Sequence, residues 1–151
     1  MDSPHELKAR ALRYLVRREH SRDELARKLS PHAASPEILE GLLRELESKK
    51  QLSNERFAEI RARGLARKYG TARIQHDLRA KGVSEELAER AVKGLDELQK
   101  AKQILARKYR DAASTREERA RRARFLQSRG FSHDTIRSAL ALSSRTNFSE
   151  E

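Results

Sequence analysis

Two short stretches recur along the chain, and no other feature limits its fold as much. Leu65-Ala66-Arg67-Lys68-Tyr69 returns letter for letter as Leu105-Ala106-Arg107-Lys108-Tyr109. Lys81-Gly82-Val83-Ser84 returns as Arg129-Gly130-Phe131-Ser132: a basic residue, Gly, an apolar residue and Ser. A looser copy lies upstream, in Leu15-Val16-Arg17-Arg18 and in the helix start at Ser35. Self-similarity at nearly fixed spacing marks an array of like modules. The serines that open corresponding helices, Ser35, Ser84 and Ser132, stand at similar intervals and support three copies.

Within each copy the apolar residues recur at helical spacing, and strand alternation is absent. In the first copy, Ser3-Pro4 with Glu6 starts a helix carrying Leu7, Ala11, Leu12 and Leu15. Ser21 with Glu24 makes a capping box before Leu25 and Leu29, and Ser35-Pro36 opens a third helix with Ile38, Leu39, Leu42, Leu43 and Leu46. The second copy starts at Ser53 with Phe57, Ile60 and Leu65 and stops at Gly70, read as a left-handed C-terminal glycine. Thr71 then caps a short helix with Ile74 and Leu78, and Ser84 caps the next, which carries Leu87, Ala91, Val92 and Leu95. Two readings stay open there: the stretch Asp96–Tyr109 is a separate helix, or it continues the previous one, weakened at Gly94. In the third copy Ser114 and Thr115, with Glu117 and Glu118, offer overlapping capping boxes to a very basic helix that Gly130 ends. Ser132 starts a last short helix. The expected architecture is all-α: three tandem three-helix, helix-turn-helix-like repeats in an elongated, curved array. Its modules are 1–52, 53–95 and 96–142, with a disordered polar tail over 143–151.

Charge decides what such an array can meet. The chain carries 34 Lys and Arg against 23 Asp and Glu, a net +11, a field that attracts polyanions. The charge is clustered. Residues 61–81 hold seven cations and one acid, and residues 100–129 hold eleven and three, while 83–97 is acidic. No apolar run approaches the roughly 20 residues that span a bilayer, and the N-terminus lacks a secretory pattern. A cytoplasmic, monomeric protein without membrane contact is the expectation.

Catalysis has little support. With no Cys there is no thiolate nucleophile and no thiolate metal site. Arg67-Lys68-Tyr69-Gly70-Thr71 lacks the spaced glycines of a phosphate loop. His5, His20, His32, His76 and His133 never pair at helical spacing, so each reads as a lone surface His and no metal or cofactor is expected. Glu85/Glu86 and Glu117/Glu118 sit at helix starts, where compensating the dipole is the better reading than acid–base work.

The basic clusters are the candidate site: Arg63, Arg67, Lys68, Arg73, Arg79 and Lys81 in the second copy, and Arg107, Lys108, Arg121, Arg122, Arg124 and Arg129 in the third. The planar guanidinium suits phosphates and carboxylates. Any one of these arginines is more simply a solvated side chain; as sets they favour binding. Base readout needs an orderly recognition helix, and none stands out. Tyr14, Tyr69 and Tyr109 sit at apolar or helix-end positions and read as packing residues rather than stacking platforms. Phe125 fits its helical wheel poorly. Contact with a phosphate backbone or an acidic protein surface is therefore favoured.

The chain resembles the bacterial RecX regulatory proteins over nearly its whole length. The resemblance rests on Ala11-Leu12-Arg13-Tyr14-Leu15 and Arg18-Glu19-His20-Ser21-Arg22-Asp23-Glu24-Leu25, on Asn54-Glu55-Arg56-Phe57-Ala58, on Arg67-Lys68-Tyr69-Gly70 with Leu78-Arg79-Ala80-Lys81-Gly82, and on Arg121-Arg122-Ala123-Arg124-Phe125-Leu126 running on to Ser132. It departs at Asn54-Glu55, where an acidic pair is expected. The resemblance implies three tandem three-helix repeats and a non-enzymatic modulator of the RecA recombinase. Such proteins bind the RecA–DNA filament along its groove and restrain ATP hydrolysis, strand exchange and coprotease action. The other class left open is a stand-alone basic helical protein on the DNA backbone; weak direct DNA binding fits either.

Overall fold

Every described α-helix but the one that begins at Thr71 starts where a short polar side chain can hold free N–H groups of the first turn. The computed structural model describes the backbone of residues 1–149 and the side chains of residues 1–141; among these every regular element is helical. α1 (Pro4–Arg17) has Ser3 Oγ accepting from Glu6 N. α2 (Arg22–Leu29) opens on a complete Ser21/Glu24 capping box, and α3 (Pro36–Ser48) on Ser35. Ser53 Oγ accepts from Arg56 N in α4 (Asn54–Leu65), and Ser84 Oγ from Leu87 N in α6 (Glu85–Lys93), with α5 (Thr71–Ala80) between them. Thr115 caps α8 (Arg116–Ser128) and Ser132 caps α9 (His133–Ser149).

The described chain forms two compact units, Met1–Arg61 with Leu78–Ala91, and Ala62–Asp77 with Val92 onward. In the first, one side of each of the first three helices is apolar, and those sides meet. Leu7 and Ala11 of α1, Leu25 and Leu29 of α2, and Leu42, Leu43 and Leu46 of α3 form one buried core, each leucine contributing about 2 kcal/mol. In the second, α7 (Glu97–Lys108) supplies Ala101, Ile104 and Leu105, α8 supplies Leu126, and α9 supplies Ile136 and Ala139, with Phe131 between them.

The recurring Gly corner explains why compact units and sequence repeats do not coincide. Gly82 has φ +87 and stands against Asp23, where a Cβ would lie 2.1 Å from the Asp23 carboxylate; beside it Ser21 Oγ donates to the Lys81 carbonyl at 2.7 Å. Gly130 has φ +88, and its Cβ would lie 2.5 Å from Arg73 Cβ, while Gly70 N donates to the Arg129 carbonyl at 2.8 Å. In both units the corner that ends one copy's second helix seats on the start of the preceding copy's second helix.

Several local expectations need correction. Gly70 is not left-handed; it is glycine because its missing Cβ would lie 2.4 Å from Gly130 O. Thr71 is not a cap but the first residue of α5, and its hydroxyl donates to Glu97 Oε2 at 2.9 Å. α6 and α7 are separate helices, because Asp96 caps the second by accepting from Gln99 N. α9 continues to Ser149, past the short helix expected, since neither Gly nor Pro follows Gly130. Of the tail over 143–151, residues 150–151 lie outside the described residues.

His20 is not a surface residue: it is 1% exposed. Its Nδ1–H donates to the Arg18 carbonyl at 3.0 Å, and Nε2 accepts from the Lys28 ammonium at 2.8 Å, so the ring is held neutral. Burial lowers its pKa below the ordinary 6.5, and the neighbouring Arg18 and Lys28 charges add to this. Burial by itself would raise the Glu24 carboxyl, but the Arg18 fork and the Ser21 N–H together outweigh it and hold it at about 2, against an ordinary 4.5. Acid therefore acts twice on the first unit. As pH falls below 6.5, the unfolded chain takes up a proton at His20 that the folded chain resists, so stability drops. Below 4.5 the Glu24 contribution, of order 2 kcal/mol, is lost progressively toward pH 2. Urea midpoints measured against pH should show both declines, and Glu24→Gln should shrink the lower one without abolishing it, since the Asp2, Glu40 and Glu45 carboxyls are also held low.

Candidate basic interface

Most of the candidate residues come from the ends of helices, where the chain leaves its apolar stripe and long cationic side chains reach outward, whereas Arg121, Arg122 and Arg124 lie within α8. The two units share the charge unequally. Sixteen Lys/Arg and fourteen Asp/Glu fall in the first, eighteen and nine in the second, so nine of the eleven net charges belong to the second.

The cations are also held differently. In the first unit Lys28 stands 4.9 Å from the Tyr14 ring centre, but the arginines meet carboxylates. Arg22 pairs with Glu40 and Glu47 at 2.6 and 2.7 Å, Arg10 with Asp2 at 2.7 Å, Arg18 with Glu24 at 3.0 Å, and Arg56 with Glu19. The Arg22 pairs hold the Glu40 carboxyl below its ordinary range. In the second unit Arg137 pairs with Asp134 at 2.6 Å, but the cations of the candidate set meet aromatic faces and carbonyls. Arg73 stands 4.5 Å from the Tyr69 ring centre and Arg129 5.6 Å from it. Arg129 also lies 5.2 Å from Phe125, whose other neighbour, Lys108, is at 4.0 Å. Lys108 is 5.9 Å from Tyr109, and Arg122 is 4.3 Å from the same ring. Tyr109 and Phe125 meet edge to face at 6.4 Å. A continuous ladder results, cations alternating with rings from Arg73 to Arg122. Each such contact is worth about 0.5–2 kcal/mol and leaves the positive charge unneutralised.

The ladder joins the two copies of the repeated pentapeptide, since Tyr69 and Tyr109 are its equivalent rings. Arg107 Nη2 donates to the Arg67 carbonyl at 2.6 Å, a second link between the copies. Glu97 ties the same region together, accepting from Thr71 Oγ1 and, at 3.0 Å, from Ser132 N.

The structure thus gathers six of the predicted residues, Arg67, Arg73, Arg107, Lys108, Arg122 and Arg129, into one contact network. Arg63, Lys68, Arg121 and Arg124 are exposed in the same unit. Arg79 and Lys81 belong to the first unit. Arg122 needs correction as a member of an open face: it is 8% exposed, and its Nε has no hydrogen-bond partner. Tyr69, Tyr109 and Phe125 were missed as platforms. Their signal is spacing: Tyr69 precedes Arg73, and Phe125 precedes Arg129, by four residues.

Two family models match, described as "RecX, second three-helix domain" over residues 53–92 and "RecX, third three-helix domain" over 95–140. A "Regulatory protein RecX" of Herbaspirillum seropedicae is 46% identical over 138 residues, covering 90% of each chain. The chain belongs to the RecX family. Another "Regulatory protein RecX", from Leptothrix cholodnii, is 41% identical over 90% of this chain and 88% of its own. The fold likeness extends to the crystal structure of RecX from Lactobacillus salivarius, with a TM-score of 0.82 at 21% identity over 93% of this chain and 96% of that one. The match to the third RecX domain contains Arg107 to Arg129, and so most of the ladder. A regulatory role follows from the family. Among the described residues no helix is long and apolar enough to cross a membrane.

Proposed function

We propose that this RecX-family chain binds the filament that RecA forms on DNA and restrains its ATP hydrolysis, strand exchange and coprotease action, without catalysing a reaction. It does so as a cytoplasmic monomer whose three modules, 1–52, 53–95 and 96–142, repeat along a repetitive partner. The observation that supports this best is the concentration of net charge in the second unit, on arginines stacked against rings rather than paired with carboxylates. Charge held this way stays available to acidic groove residues or phosphate, and the rings keep the side chains extended, which lowers the entropy lost on binding. Titrating the full chain into RecA's single-strand-dependent ATPase tests the reading. Hydrolysis is expected to fall to a low plateau as the protein saturates the filament; unchanged hydrolysis at saturation contradicts it.

The second reading, a protein that acts on naked DNA by itself, rests on the same charge. It predicts tight binding to DNA without RecA, with log K falling by roughly 0.7–0.9 per phosphate neutralised as log salt rises. Weak binding to naked DNA, alongside strong binding to the filament, separates the two.

A further inference from the structure

Arg122 is an expensive residue to keep. It is 92% removed from solvent by its 8% exposure, carries a full charge, and has an Nε–H that nothing in the described structure accepts. A buried, unanswered donor on a charged group destabilises a fold, and an apolar side chain of similar length is commonly neutral or better in such a place. Its stacking on Tyr109 offsets only part of this. The residue lines a cavity of about 390 Å³ between the end of α7 and α8, and Lys108, Arg110 and Arg121 line it too. Two acids are present. Glu118 is already engaged, its Oε2 accepting from Ser114 N at 2.8 Å and from Ser114 Oγ at 3.3 Å. Asp111 is exposed at the loop. Four cations against two acids leave the cavity positive.

We infer that this cavity is a binding site for a phosphate group, with Arg122 as its anchor. The guanidinium lies against Tyr109, so its donors are presented as a fixed planar fork, which matches two phosphate oxygens at once. Arg110 and Arg121 stand at the exposed side to take further oxygens, as a tetrahedral ligand with several acceptors requires. The phosphate comes either from a nucleic-acid backbone or from a free ion or nucleotide, and the same chemistry serves both. The site lies wholly within the second unit and is tested without RecA, so its outcome is independent of the filament reading.

The test follows the Arg122 Nε–H and the Ser114 and Glu118 amides by NMR in the full ¹⁵N-labelled chain at constant ionic strength. Three probes are added separately: inorganic phosphate, a short oligothymidylate and polyglutamate. Phosphate or oligothymidylate is expected to move these resonances. A response to phosphate alone assigns the site to free phosphates, and a response to oligothymidylate alone assigns it to the backbone. Arg122→Met is expected to melt no lower than the natural protein yet to bind about tenfold more weakly, the loss of one charge-assisted contact. Arg110→Ala combined with Arg121→Ala, both at exposed positions, should weaken binding at least as much and covers the case in which Arg122→Met fails to fold. The inference is overturned if nothing moves, if the movement is unchanged in the variants that fold, or if polyglutamate acts at lower concentration than either phosphate source.

Discussion

Replacing Gly70 by alanine is expected to lower the unfolding free energy by about 3 kcal/mol, the upper range for forcing atoms into a closed space. The added Cβ would lie 2.4 Å from Gly130 O, 2.5 Å from Gly130 C and 2.6 Å from Phe131 N. All three are backbone atoms, so no side chain can swing aside. Nor can the backbone retreat freely, because Gly70 N is bonded to the Arg129 carbonyl and Gly130 is itself pressed against Arg73. The matching control is Gly41→Ala. Gly41 lies inside α3 with nothing within 4 Å of its added Cβ, so alanine should stabilise by up to about 1 kcal/mol through helix propensity. Urea unfolding of the two variants should therefore move in opposite directions. A Gly70→Ala midpoint equal to that of the natural protein would mean that Gly70 and Gly130 do not touch.

The second large effect is on binding. Reversing Arg63, Arg67 and Arg124 together to glutamate should weaken association with RecA–DNA filaments by at least about tenfold and flatten its salt dependence. These three side chains are exposed, lie outside the phosphate cavity and lie in the unit that carries the excess charge. Arg122 is unsuited to such a set, since reversing a buried group beside Glu118 would test folding instead. Circular dichroism of the triple variant should be unchanged, because none of the three lies in a buried core.

How much of this was legible beforehand depended on the distance over which each feature is decided. The caps at Ser3, Ser21, Ser35, Ser53, Ser84 and Ser132 were legible because a cap joins residues three apart, and the structure forms each of them. Asp96, with Gln99 three residues on, carried the same local signal and was passed over. Gly70 was misread for the opposite reason. What confines it is Gly130, sixty positions away, and a local reading assigns the wrong conformation to the right residue.

The site divides in the same way. That the third copy is strongly basic follows from counting. That Arg122 turns inward while Arg121 and Arg124 remain exposed does not follow, because it depends on where the Tyr109 ring arrives from the preceding helix. Phe125, which has no place on an amphipathic wheel, is placed by Lys108, Tyr109 and Arg129 rather than by its own helix. His20 is the exception to this division: its partners, the Arg18 carbonyl and the Lys28 ammonium, are near in sequence, yet no helical spacing marks the residue as buried.

The most direct measurement compares two charge-reversal triples for filament affinity across a salt series: Arg63, Arg67 and Arg124 in the second unit, and Arg13, Arg17 and Arg27, likewise exposed, in the first. Loss of affinity and of salt dependence confined to the second-unit triple is the predicted result. Equal losses from both triples would contradict the account, because binding would then follow the total charge of the molecule and not its placement.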